Sequence, residues 1–158
     1  MRNLFILVAF LSIAIPSVNP ANADAVISGP ACVIDGNVLQ VGSKLKNRQC
    51  WGGLNMRLHG STAPNLNDTC TDTNGSVWNC GQKAKDALAN MIKVNSVTCY
   101  HIDGEFLNDT PITTCVSGHT DLALEMVKLG MAKALHDQSG RYALEEKDAK
   151  QAKRGIWK

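Results

Sequence analysis

The chain alternates between two periodicities of apolar residues, and each predicts a different element. Runs with a two-residue period and many β-branched side chains predict strands. These runs are ACVIDGNVLQVG (31–42, two strands around a tight turn at Asp35-Gly36-Asn37), LNMRLHG (54–60), SVTCYHI (96–102) and ITTCVSG (112–118). Together they predict five short strands.

Three other segments carry apolar residues at helical spacing. The pattern predicts helices over residues 81–94, 120–135 and 141–155, the second capped by Thr120 or Asp121 and the third stopped by Gly155. The order of three strands, one helix, two strands and two helices favours an α+β fold. We predict a five-stranded OB-fold β-barrel with three α-helices outside it.

The first 25 residues have the pattern of a targeting segment. Arg2 precedes an apolar run over residues 4–15, which is too short to span a membrane. Ala23 and Ala25 fit the cleavage-site spacing, with Ala21 and Ala23 as the alternative. We therefore expect a signal peptide over residues 1–25, and a secreted or periplasmic single domain over residues 26–158 without a membrane partner.

The net charge of +2 is too mild to indicate nucleic-acid binding by itself. We expect an ordinary protein surface and a monomer. We also expect no cofactor and no metal unless residual catalysis survives, in which case the metal would be calcium.

An even number of cysteines behind a signal peptide predicts disulfides formed in an oxidising compartment. Cys99 and Cys115 are equidistant from Leu107, so a hairpin centred there would place them opposite each other. Cys70 and Cys80 bracket a polar loop that needs a covalent constraint. Cys32 and Cys50 then pair by elimination. The alternative, a zinc site, lacks the usual C-x₂-C or H-x₃-H spacing.

Five segments in order and spacing resemble the staphylococcal-nuclease-like (thermonuclease) family, and its secreted bacterial members in particular. They are VIDGN, MRLHGSTAP, CGQKAKDAL, DLALEMVKLGMAKA and AKQAKRGIW. The resemblance covers the chain from about Cys32 to Trp157. It implies calcium-dependent phosphodiester hydrolysis, with two metal-binding aspartates, a catalytic glutamate and two arginines that stabilise the developing charge.

The family's functional residues are replaced at most of the matching positions. Asn37 and Thr62 stand where the resemblance places the aspartates, and Asn65 stands where it places the glutamate. Arg57 matches the first arginine, and Thr110 replaces the second. Calcium would lose its anionic ligands, and loss of general-base catalysis alone costs ~10²–10⁴ in rate.

We therefore interpret the chain as a nuclease-like protein without catalytic activity, which acts as a binding or structural module. A polyanion such as nucleic acid or acidic polysaccharide is the expected ligand class. A second hypothesis is a residual or re-sited metal-dependent phosphodiesterase, with Asp35, Asp68 and Asp103 as candidate ligands. A third is a protein–protein role. Arg57 either still binds a phosphate or is held by a salt bridge.

Overall fold

The computed structural model describes residues 26–47, 49–92, 96–136 and 140–158. The predicted signal peptide lies outside these residues. The strands are β1 (Val26–Gly29), β2 (Ala31–Val33), β3 (Val38–Val41), β4 (Lys44–Lys46), β5 (Gln49–Trp51), β6 (Leu54–Leu58), β7 (Ser61–Thr62), β8 (Cys70–Thr71), β9 (Val77–Trp78), β10 (Val97–Leu107), β11 (Thr110–Ser117), β12 (Thr120–Asp121) and β13 (Lys133–Ala134). The helices are α1 (Cys80–Met91), α2 (Leu122–Lys128) and α3 (Ala143–Gln151), with a 3₁₀ turn at Gly155–Trp157.

The main sheet has the order β1-β10-β11-β6-β3-β2, with β12 paired to β11. The pairing of β6 with β11 is parallel, and the other pairs are antiparallel. Since β1 and β2 are consecutive, the segment 26–33 pairs with both edges of the sheet and closes it. The predicted α+β, OB-fold-like architecture is confirmed, and all five predicted strands are present.

Apolar side chains from the strands and from α1 and α2 form one core inside this sheet. Leu39 and Leu58 from the strands, Leu88 from α1 and Met126 from α2 are almost fully buried in it. Within the described residues no helix is long and apolar enough to cross a membrane.

The β10–β11 hairpin corrects the prediction of a turn centred on Leu107. Its two-residue turn is Asn108-Asp109, both in the left-handed region, with φ of 50° and 60°. Cys99 nevertheless pairs with Cys115, because β10 is irregular between His101 and Phe106. The extra residues there shift the register and compensate for the displaced turn.

The second and third predicted helices are shorter than their apolar patterns. Helix α2 ends at Lys128 because Gly130 adopts a φ of 67°, with Gly130 N–H bonded to the Val127 carbonyl and Met131 N–H to the Met126 carbonyl. Helix α3 ends in the same way at Gln151, because Lys153 adopts a φ of 49°. Gly155, predicted as the stop, instead crosses the backbone of Gly130, where a Cβ would overlap the carbonyl oxygen.

All six cysteines form disulfides in the predicted pairs. Their Cα–Cα distances are 5.7 Å for Cys32–Cys50, 5.6 Å for Cys70–Cys80 and 4.0 Å for Cys99–Cys115. No cysteine is free, so the zinc alternative is wrong. Three disulfides are typical of proteins outside the reducing cytosol.

Candidate functional site

The turn between β2 and β3 carries Asp35, which was predicted as a candidate metal ligand. Asp35 Oδ1 accepts hydrogen bonds from the backbone N–H groups of Asn37 (2.7 Å) and Val38 (2.8 Å). A Cβ on Gly36 would lie 2.6 Å from the Cβ of Ala84 in α1, so the turn packs tightly against that helix. Asp35 therefore serves as a turn-forming residue.

Asn37 and Arg57 form the centre of the site. Asn37 is only 5% exposed, and one orientation of its amide group forms hydrogen bonds with two neighbours. Its Oδ1 accepts a hydrogen bond from Arg57 Nη1 at 2.6 Å, and its Nδ2 donates to the Ser61 carbonyl at 3.2 Å. Val38 pairs with Arg57 between β3 and β6, which places the two side chains at one end of neighbouring strands.

Arg57 has no ion pair within the part of the chain that the structure describes, so the salt-bridge interpretation is wrong there. Its Nε is buried and lacks a hydrogen-bond partner among those residues. Because a guanidinium is always protonated in proteins, a positive charge remains next to a neutral amide. This arrangement is suited to attract an anion.

Ser61 and Thr62 form β7, which pairs with β13. Ser61 is 1% exposed and its Oγ has no described hydrogen-bond partner. Sequence reasoning missed Ser61, although it lies between two predicted site positions and its carbonyl receives the Asn37 bond. Thr62, at the second aspartate position, thus lies directly beside the Asn37–Arg57 pair.

Asn65 lies in the next turn and is tied to Asp68. Asp68 Oδ2 accepts hydrogen bonds from the backbone N–H of Asn65 at 2.8 Å and from its Nδ2 at 3.0 Å. A Cβ on Gly81 would overlap the Asn65 carbonyl oxygen, so this turn contacts the start of α1. Asp68, like Asp35, thus accepts backbone N–H groups and stabilises a turn.

Thr110 begins β11 at the position of the second arginine. Ile112 pairs with Arg57 in the parallel pairing of β11 with β6. Because side chains alternate along a strand, Thr110 and Ile112 face the same side of the sheet as Arg57. Thr110 supplies only a neutral hydroxyl there. The structure thus places Asn37, Arg57 and Thr62 together, with Thr110 on the same face and Asn65 in the adjoining turn.

A cleft of about 670 Å³ adjoins Thr62. Its lining includes Thr62, Pro64 and Asp68, together with Lys133 and Trp157. The ammonium groups of Lys150 and Lys133 lie 4.4 and 5.7 Å from the centre of the Trp157 ring. Trp157 is thus held between the end of α3 and β13, as a packing residue with cations around it.

The residues present do not fit calcium. Calcium takes 6–8 oxygen ligands, several of them anionic. Asn37 Oδ1 already accepts from Arg57, and Asp35 and Asp68 are engaged by backbone N–H groups. Within the described ranges no group of three or more His, Cys, Asp or Glu side chains is arranged to hold a metal ion. The side chain of Asp103, the third candidate ligand, lies outside the described residues.

Sequence reasoning also missed a buried carboxylate between β13 and α3. Glu146 is 4% exposed and accepts hydrogen bonds from Ala134 N–H (3.1 Å) and Lys150 Nζ (2.8 Å), with His136 Nε2 at 3.2 Å. Burial by itself would raise the pKa of Glu146, but the hydrogen bonds from these three partners lower it below its ordinary value. The few apolar residues next to Glu146 in the sequence only weakly indicated that it is buried, because α3 is polar on most faces.

The buried Tyr142 and the half-buried Asp121 form a second polar contact nearby. The Tyr142 hydroxyl donates to Asp121 Oδ2 at 2.9 Å, while Asp121 Oδ1 caps α2 through Leu124 N–H. Burial, together with the charge of Asp121 and this hydrogen bond, raises the pKa of Tyr142. The predicted cap at Asp121 is confirmed, and the acidic residue also connects α2 to α3.

A comparison with protein-family models agrees with this architecture. A comparison with curated proteins finds no match. The family model described as staphylococcal nuclease homologue matches residues 55–158. The matched segment contains β6, where Arg57 lies, and continues to the 3₁₀ turn. The residues before it contribute β1, β2 and β3 to the same closed sheet. With more than half of its length matched, the chain belongs to the staphylococcal nuclease homologue family.

Proposed function

We propose that this protein is a catalytically inactive member of its family, exported from the cytosol, that binds an anionic polymer such as nucleic acid or an acidic polysaccharide. The observation that carries the proposal is the Asn37–Arg57 pair. A neutral amide takes the place of a carboxylate beside an arginine whose positive charge has no described counter-ion.

The loss of carboxylates supports inactivity on physical grounds. Hydrolysis of a phosphodiester needs a base for the attacking water, and such a base contributes ~10²–10⁴ in rate. Asn65 has an amide at that position, and the neighbouring acid Asp68 accepts two hydrogen bonds from Asn65 itself. Loss of a charge-stabilising donor at Thr110 would cost a further ~10²–10³.

The same losses favour anion binding. A carboxylate at position 37 or 62 would neutralise Arg57 in the absence of a metal, whereas the present side chains leave its charge available. Lys133 adds a second cation in the adjoining cleft. Three disulfides and the predicted signal peptide support a location outside the cytosol.

The catalytic part is tested with the oxidised protein, denatured DNA and Ca²⁺, with and without chelator. We expect no cleavage, and activity only after Asn37→Asp, Thr62→Asp, Asn65→Glu and Thr110→Arg are introduced together. Cleavage by the unmodified protein that chelator stops, and that Asp35→Ala and Asp68→Ala abolish, would overturn inactivity in favour of a re-sited phosphodiesterase.

The binding part is tested by fluorescence anisotropy with a labelled oligothymidylate and a labelled oligogalacturonate. Arg57→Gln should weaken binding of the recognised polymer at least tenfold. The matched control is Lys147→Gln, which removes one charge from an exposed position on α3. Absence of binding to both polymers, or equal losses in the two variants, would refute a binding site at Arg57.

A further inference from the structure

One end of the barrel exposes a continuous apolar surface. At this end, which we call the barrel mouth, Val26, Leu54 and Phe106 surround a depression of about 410 Å³ floored by Met56, Cys99 and Thr113. The three rim side chains are 56%, 60% and 58% exposed. Contiguous apolar surface of this kind marks interaction sites on soluble proteins.

The β4–β5 hairpin, which we call the arm, carries positive charge and leads into β6 at Leu54 on the rim of the mouth. Lys44 and Lys46 are exposed on it, and Trp51 is 61% exposed where it leads into Leu54. The sequence has no aspartate or glutamate between Asp35 and Asp68. The Cys32–Cys50 disulfide attaches the arm to β2, so its position relative to the mouth is constrained.

The β10–β11 hairpin carries negative charge on the other side of the mouth. Glu105 precedes Phe106, and Asp109 occupies the exposed turn. Because Arg57 pairs with Ile112 in parallel strands, the start of β6 and this turn project from the same end of the barrel. None of Lys44, Lys46, Glu105 and Asp109 has an ion pair within the described residues.

Opposite charges on two sides of an apolar depression make the surface complementary to itself. A two-fold axis through the mouth would place the arm of one copy against the β10–β11 hairpin of the other, twice, with Phe106 and Leu54 packed between them. We propose that the occupant of the barrel mouth is a second copy of this chain, which forms a two-fold symmetric dimer. This inference replaces the expectation of a monomer and is independent of the proposed function.

Other occupants match the charges less well. An anionic polymer or an anionic lipid surface would be attracted to the arm but repelled by Glu105 and Asp109 beside Phe106. A small apolar ligand would fill the depression and leave the two charged sides unexplained. A second copy satisfies the apolar rim and both charged sides together.

Sedimentation velocity of the oxidised protein tests the dimer, over a concentration series from about 1 to 300 μM at low and high salt. We expect a monomer–dimer equilibrium within this range that weakens with salt, because rim charges are screened. Phe106→Asp should weaken the dimer more than tenfold. Leu144→Asp, at a 74% exposed leucine on α3, is the matched control and should leave it unchanged.

A charge exchange separates this dimer from unspecific association. Lys44→Glu with Lys46→Glu makes both sides of the mouth negative, and Glu105→Lys with Asp109→Asn replaces the two negative charges near Phe106 by one positive charge. Asn is chosen at position 109 because it tolerates the φ of 60°. Each variant alone should be monomeric, and a one-to-one mixture should recover a heterodimer.

Three results would overturn the proposal. The first is a protein that is still monomeric at about 300 μM, the highest concentration of the series. The second is a dimer that Phe106→Asp leaves intact. The third is a mixture of the two charge variants that remains monomeric while circular dichroism shows both to be folded. None of these measurements includes a polymer, so their outcome does not depend on whether the protein binds an anion.

Discussion

The site around Arg57 and the junction between α2 and α3 differ in their acidic side chains, which are replaced by neutral ones at the site and retained at the junction. At the site, Asn37, Thr62 and Asn65 offer neutral groups, and Arg57 donates to the Asn37 amide without an ion pair among the described residues. At the junction, Glu146 and Asp121 are well supplied with donors, and each connects two elements. The comparison indicates that this chain uses the buried Glu146 and the half-buried Asp121 for architecture, where backbone and side-chain donors compensate their burial.

The difference also explains why the fold survives the changes at the site. A catalytic carboxylate serves a metal or a water and not the backbone, so its replacement by a neutral side chain costs the fold little. Removal of a carboxylate that satisfies backbone N–H groups leaves those groups unpaired. The two regions should therefore respond very differently to substitution.

The largest effect is expected for Glu146→Ala. It removes the acceptor of Ala134 N–H and the partner of Lys150, and we expect it to lower the free energy of unfolding by about 2–3 kcal/mol. Denaturant unfolding measures the change. Asp148→Ala, which removes an exposed carboxylate from the same helix, is the control and should change stability by less than about 0.5 kcal/mol. Similar effects of both variants would break the comparison.

A smaller effect should appear as a pH dependence. The pKa of Glu146 is lowered in the folded protein, so its contribution to stability is present above the ordinary pKa of 4.5 and is lost as the pH falls through the folded value. Unfolding free energy measured from pH 6 to pH 3 should decrease in this window. Glu146→Gln should decrease less steeply, and an equal slope would assign the acid sensitivity to other carboxylates.

The smallest effect is expected for Asn37→Asp at the site. A carboxylate would strengthen the bond to Arg57 Nη1 but would lose the donation to the Ser61 carbonyl. We expect these changes to offset within about 1 kcal/mol, as measured by thermal or denaturant unfolding. Asn55→Asp, at an exposed position of β6, is the control. A loss above about 2 kcal/mol would mean that the site depends on a neutral side chain for stability.

Local patterns in the sequence were sufficient for much of the fold. Alternating apolar residues identified the five barrel strands, the Asp35-Gly36-Asn37 turn and the Asp121 cap, because each depends on residues only a few positions apart. The spacing of the cysteines led to all three disulfide pairs. The resemblance to the family placed Asn37, Arg57 and Thr62 in one site before any contact was known.

Helix ends and the β10–β11 turn could not be predicted in the same way. Lys128 ends α2 because Gly130 must pass close to Gly155, which is distant in sequence. The irregularity between His101 and Phe106 moved the hairpin turn away from Leu107 without changing the Cys99–Cys115 pair. Both features depend on packing between segments that no local window contains.

The sequence by itself determined the class of fold, the disulfide pairs and the absence of carboxylates from the family's site positions, because these depend on residue identity and spacing. Only the tertiary structure decided what the remaining groups do. It placed the Asn37 amide on Arg57, buried Glu146 under Ala134, and brought the arm and the β10–β11 hairpin to one end of the barrel. Each of these contacts joins residues that are brought together by the closing of the sheet and the docking of the helices, so their partners follow from the fold and not from the local pattern.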